Sequence, residues 1–122
     1  MSENILQKII DQKKTKIEKL KLKIDINKLL HAISEKEVFF DFKKKIQTKN
    51  SENKISIIAE IKKASPSAGI LIDDYDPVKI ANIYNSKNVT CLSVLTEEDF
   101  FLGNLSHISE IKKKIELPIL CK

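Results

Sequence analysis

Apolar positions in the first third of the chain recur at helical spacing. Ile5, Leu6, Ile9, Ile10, Ile17 and Leu20 form an i, i+3, i+4 stripe interrupted at Lys13. That stripe predicts a helix over residues 3–22 with one buried face and Ser2 as its N-cap. Leu29, Leu30 and Ile33 continue the pattern behind Asp25 or Asn27 as a cap, and Val38, Phe39, Phe42 and Ile46 form a third run. The pattern then changes character. Residues 49–54 are polar and read as a linker, after which come three apolar runs at 55–61, 89–95 and 118–122. All are short, and the first, Ile55 to Ile61, is enriched in β-branched residues, as buried strands of a parallel sheet are.

Each gap between these strands holds one helical pattern. Asp76-Pro77 starts the first, because Asp accepts orphan amides and Pro at the first helical position forfeits no hydrogen bond. It runs through Val78, Ile80, Ala81 and Tyr84 to about Asn85. Leu105, Ile108, Ile111 and Ile115 mark the second. Strands joined by single helices pair in parallel with right-handed crossovers, so the chain is α/β, with the middle strand between the other two. Two domains of organisation follow, a helical extension over 1–48 and a βαβαβ portion over 49–122.

Polar side chains gather where the strands end. Glu60 and Lys62 close the first strand two residues apart, and so share one of its faces, while Ala59 and Ile61 take the other. Lys122 ends the third, and the second runs into Thr96, Glu97, Glu98 and Asp99, followed by Phe100 and Phe101. In parallel α/β sheets this end is where ligands bind. An ordinary surface ion pair accounts equally well for Glu60 and Lys62 taken alone.

Composition narrows the class. The chain has 122 residues, enough for one ordinary domain, and a net charge of +5 carried by Lys with no Arg. Base-edge and bidentate phosphate recognition favour Arg, so the charge does not point to nucleic acid. No apolar run reaches the roughly 20 residues that cross a bilayer, and no signal peptide is visible; a soluble cytoplasmic protein is expected. Cys91 and Cys121, both in apolar runs, read as buried free thiols. His31 and His107 receive no role, the latter on an exposed-looking side of its helix.

Several of these segments together resemble a known family. A-E-I-K-K-A-S-P-S-A-G, then D-P-V-K-I-A, C-L-S-V-L-T-E-E-D-F-F-L-G and L-P-I-L-C-K are similar to the first part of indole-3-glycerol-phosphate synthase. The resemblance runs in order from about residue 5 to residue 122. It implies the N-terminal part of a (β/α)8 barrel, about three of its strands, behind an N-terminal helical extension. It further implies a carboxy-lyase of tryptophan biosynthesis that closes an indole ring on a phosphorylated small-molecule substrate, without metal or organic cofactor. Fusion or association with another tryptophan-pathway enzyme is a further implication.

By the same resemblance Glu60, Lys62 and Lys122 are catalytic: Lys122 the general acid of ring closure, Lys62 the contact to the substrate carboxylate and an acid in dehydration, Glu60 the acid/base or orienting partner. Ser65 matches a substrate-contacting position. Phe100 and Phe101, in the loop after the second strand, are placed to line a pocket for an aromatic ring or else to pack beneath the loop. Ala68, Asp99 and Asn104 depart from the residues common in the family. A family member has eight strands and this sequence supplies three, so the expectation is a fragment or truncation, inactive and poorly folded by itself. An inactive remnant and a lysine-rich helical module that binds anions are the competing readings.

Overall fold

The computed structural model describes residues 4–35 and 38–122. The chain divides into two compact units, one ending at Phe39 and one running from Phe40 to Lys122.

The first unit holds helices α1 (Ile5–Lys21) and α2 (Ile26–Ser34). Asn4 caps α1 by accepting the Leu6 amide at 3.1 Å, and Asp25 caps α2 by accepting that of Asn27 at 2.8 Å. Ser2, the cap expected from sequence, lies outside the described residues. Neither helix buries a residue. Their apolar stripes instead border an open groove of about 540 Å³, lined by Ile17, Leu20, Ile24, Ile26 and Leu29 with Lys21 and Asp25.

The second unit opens with α3 (Phe42–Ser51), capped by Asp41 through the Lys44 amide at 2.9 Å. The helix takes in residues 49–51, which were expected to be linker. The rest is β1 (Ile58–Ile61), a two-strand hairpin of β2 (Ala64–Ser65) and β3 (Gly69–Ile70), α4 (Pro77–Ser86), β4 (Cys91–Val94), α5 (Ser106–Lys112) and β5 (Ile119–Cys121). β4 lies between β1 and β5 and pairs in parallel with both, in the predicted order. Register aligns Glu60, Ser93 and Leu120 in one row across the sheet, and Ile61, Val94 and Cys121 in the next.

Strand parity separates two faces. Ala59, Ile61, Leu92 and Val94 enter one core with Ala81 of α4, Ile111 of α5, Ile115 and Leu117. Asp76 caps α4 by accepting two amides, from Val78 and Lys79, both at 3.0 Å, with Pro77 at the first helical position. The opposite face carries Ile58, Glu60, Ser93 and Leu120, and Ile58 and Leu120 are about half exposed.

Four sequence expectations need correction. The run 55–61 is not buried throughout: Ile55 is 84% exposed and the strand begins only at Ile58, because β1 is an edge strand with one open face. Cys121 is exposed while Cys91 is buried, both as free thiols. Leu105 precedes α5 and is exposed, and Ile115 joins the core from beyond the helix end. His107 is half-buried against the Tyr75 ring, centroids 5.8 Å apart, with its Nδ1 and the Tyr75 hydroxyl buried.

Candidate active site at the strand ends

β1 brings Glu60 to the C-terminal end of the sheet, and Tyr84 of α4 helps hold it there. The Ile57 and Ile61 carbonyls face β4, accepting from Cys91 at 3.2 Å and Leu95 at 3.1 Å. By alternation the Glu60 carbonyl faces the free edge, where it would lack a partner. The Tyr84 hydroxyl donates to it at 3.1 Å. A residue of the flanking helix thus fixes the strand that bears the carboxylate.

The Glu60 side chain joins two cations. Lys122 Nζ donates to one carboxylate oxygen at 2.8 Å, and Lys62 Nζ lies 3.3 Å from the other. Glu60 and Lys62 are each about one-third exposed and Lys122 somewhat more. The hydrogen bond from Lys122 is the main reason the Glu60 carboxyl titrates below its ordinary value; partial burial opposes it and Lys62 adds to it. Glu60 is consequently a carboxylate at neutral pH, with an ammonium on each side.

Lys122 owes its position to the end of β4. Its amide donates to Val94 O at 3.0 Å, and its main-chain oxygen accepts both the Thr96 amide at 2.7 Å and the Thr96 hydroxyl at 2.9 Å. Three hydrogen bonds therefore set the backbone from which the Lys122 side chain reaches Glu60.

Ser65 stands in the loop after β1, which the structure folds into the β2–β3 hairpin. Ala64 pairs with Ile70 and Ser65 with Gly69, and Gly69 takes φ +66°, a left-handed conformation suited to glycine. The Ser65 hydroxyl accepts the Ala68 amide at 3.2 Å and lies 3.5 Å from that of Ser67, so it braces the turn. Phe100 and Phe101 are half-buried in the loop after β4, and their amides, like that of Asp99, bond to the Glu97 carboxylate.

Of the residues singled out in the sequence, the structure thus joins Glu60, Lys62 and Lys122 in one hydrogen-bonded and ionic cluster. Ser65, Phe100 and Phe101 lie on the two loops that leave β1 and β4 at the same end of the sheet. The sequence pattern included Thr96, Glu97 and Tyr84 but assigned them no role. Thr96 and Glu97 carried one usable signal, a hydroxyl and a carboxylate at the end of a strand where polar chains commonly satisfy loop amides. Among the described residues no three His, Cys, Asp or Glu side chains group as metal ligands would, and no helix is long and apolar enough to cross a membrane.

The sequence pattern of indole-3-glycerol phosphate synthase matches residues 6–122. The chain is 42% identical over 118 residues to the indole-3-glycerol phosphate synthase of Alkaliphilus metalliredigens, covering 97% of this chain and 44% of that protein. The corresponding protein of Microcystis aeruginosa is 37% identical over 120 residues, covering 98% of this chain and 40% of the relative. The chain accordingly spans less than half the length of these curated relatives. A family match over nearly the whole sequence assigns the chain to the indole-3-glycerol phosphate synthase family.

Proposed function

We propose that these residues form part of the active site of an indole-3-glycerol phosphate synthase, with β1, β4 and β5 as three successive strands of a (β/α)8 barrel. The substrate is 1-(2-carboxyphenylamino)-1-deoxyribulose 5-phosphate. The ring carbon bearing the carboxylate attacks the ketone carbon, and Lys122 protonates the ketone oxygen as the new bond forms. Carbon dioxide leaves and its electron pair restores the ring. The resulting hydroxyl departs as water with a proton from Lys62, while Glu60 accepts the proton released as the indole aromatises. Lys62 also pairs with the substrate carboxylate before the reaction, and Ser65, Phe100 and Phe101 contact the bound molecule.

The observation that carries this reading is the carboxylate of Glu60 held between Lys122 and Lys62 at the strand ends. Two ammonium donors and one carboxylate in mutual contact match a reaction that needs a general acid, a cation for an anionic group and a base. The setting is a cytoplasmic enzyme of tryptophan biosynthesis, fused to or associated with another enzyme of that pathway, and it requires the remaining barrel strands for activity. Lys122→Met keeps the side-chain length and removes the donor. In the full-length enzyme it should lower turnover by roughly a hundred- to ten-thousand-fold. Near-normal turnover in Lys122→Met would sink the assignment.

A further inference from the structure

The loop that follows β4 is organised by a single side chain. One oxygen of the Glu97 carboxylate accepts the Asp99 amide at 3.0 Å, and the other accepts those of Phe100 at 2.7 Å and Phe101 at 3.1 Å. The Glu97 carbonyl accepts the Gly103 amide at 2.7 Å. One residue therefore satisfies four main-chain donors of its own loop. Three amides of one short stretch thus share the two oxygens of one carboxylate, and charge-assisted bonds are the stronger kind. The path they impose is demanding. Leu102 takes φ +53°, which side-chain-bearing residues avoid, and a Cβ on Gly103 would meet Leu95 O at 2.2 Å.

We propose that Glu97 is the positioning residue of the aromatic loop, fixing Phe100 and Phe101 at the end of β4, between the strands that carry Glu60 and Lys122. It touches no reacting atom. Its task is to pre-form the wall against which an aromatic substrate ring rests, so that binding does not have to order the loop. The loop geometry stands independently of the chemistry; the task assigned to the wall rests on the function proposed above.

The neutral variants separate charge from shape. Glu97→Gln keeps one acceptor oxygen, enough for the Phe100 and Phe101 amides, but turns a donor toward Asp99; Glu97→Ala keeps none. Amide hydrogen exchange by NMR in the full-length enzyme should show residues 99–101 exchanging about tenfold or more faster in Glu97→Ala, with Glu97→Gln between it and wild type and the β4 amides unchanged. Steady-state kinetics should show KM raised by about tenfold with kcat within about threefold, and partial recovery in Glu97→Gln, the pattern of lost uniform binding. Unchanged exchange at 99–101 would overturn the proposal. So would loss of β4 protection in both variants, which would make Glu97 a residue of global stability. Raised exchange with an unchanged KM would overturn the link to the substrate. A wild-type enzyme that does not convert the substrate while the exchange pattern holds would instead refute the reaction assigned to the site.

Discussion

The two faces of the three-stranded sheet make opposite uses of the same strands. On one, Ala59, Ile61, Leu92 and Val94 are covered by α4 and α5 and at most 8% exposed. On the other, Glu60 takes up two cations, Ile58 and Leu120 stay half open, and the Ser93 hydroxyl is buried at the centre. The first face contributes stability through excluded water, at about 25 cal/mol per Å² of apolar area buried. The second carries charge that a fully packed core could hold only at a cost of several kcal/mol per ion. A strand can serve both needs because successive side chains point to opposite sides.

Substitutions should separate the two faces cleanly. Leu92→Ala removes a fully buried side chain from the helix-covered face, and denaturant unfolding should show a loss of about 2–5 kcal/mol. A much smaller loss would mean that α4 and α5 close over the gap, and the faces would then differ less than their exposure indicates. Ile58→Ala, on the open face, should cost about 2–5 kcal/mol in the proposed full-length barrel, since further strands would cover that face. A cost below about 1 kcal/mol, as at an uncovered surface position, would count against the barrel.

A third change tests how one face supports the other. Tyr84→Phe deletes the hydroxyl that satisfies the Glu60 carbonyl and should lower stability by about 0.5–1.5 kcal/mol. If Tyr84 fixes the strand bearing the carboxylate, the Glu60–Lys122 contact should loosen too, visible as a Glu60 titration midpoint moved upward toward its ordinary value. A stability loss without that change would confine Tyr84 to packing.

The smallest expected effect is electrostatic. Glu60 should titrate below its ordinary value of 4.5 because Lys122 and Lys62 favour its charged form. A carboxyl held low when folded contributes stability that is present above the unfolded value and is lost as pH falls through the folded one. Carbon-detected NMR titration of the Glu60 carboxyl should show the low midpoint, and Lys122→Met should move it upward by removing its main cause. A midpoint unaffected by Lys122→Met would mean that the 2.8 Å contact does not persist in solution.

Much of this was written in the chain itself. Asp76-Pro77 fixes where α4 begins, because a capping carboxylate and a proline lacking an amide suit only that position. Single helices between β-branched runs dictated parallel strands with β4 in the middle, and the two-residue spacing of Glu60 and Lys62 put them on one face. The cap and the shared face were legible because each depends on residues within a few positions of one another, and the strand order because single-helix crossovers between parallel strands leave few alternatives. The resemblance to the family added expected roles for Lys122 and Ser65 that spacing could not supply.

What tertiary structure alone decided depends on residues far apart in sequence. Lys122 meets Glu60 across 62 positions only because β4 separates and aligns β1 and β5, and Thr96 fixes the Lys122 backbone from 26 positions away. Ile55 and Ile58 carry the same side chain as Ile61, yet only Ile61 is buried, since burial depends on which face the helices cover and where the sheet has an edge. His107 turned inward against Tyr75 because the ring partner comes from the loop before α4. Glu97 is local, but its meaning is not: a loop carboxylate becomes an organiser only when the backbone curls until three amides point at it, and Gly103 permits that because it has no Cβ, which would meet Leu95 O at 2.2 Å.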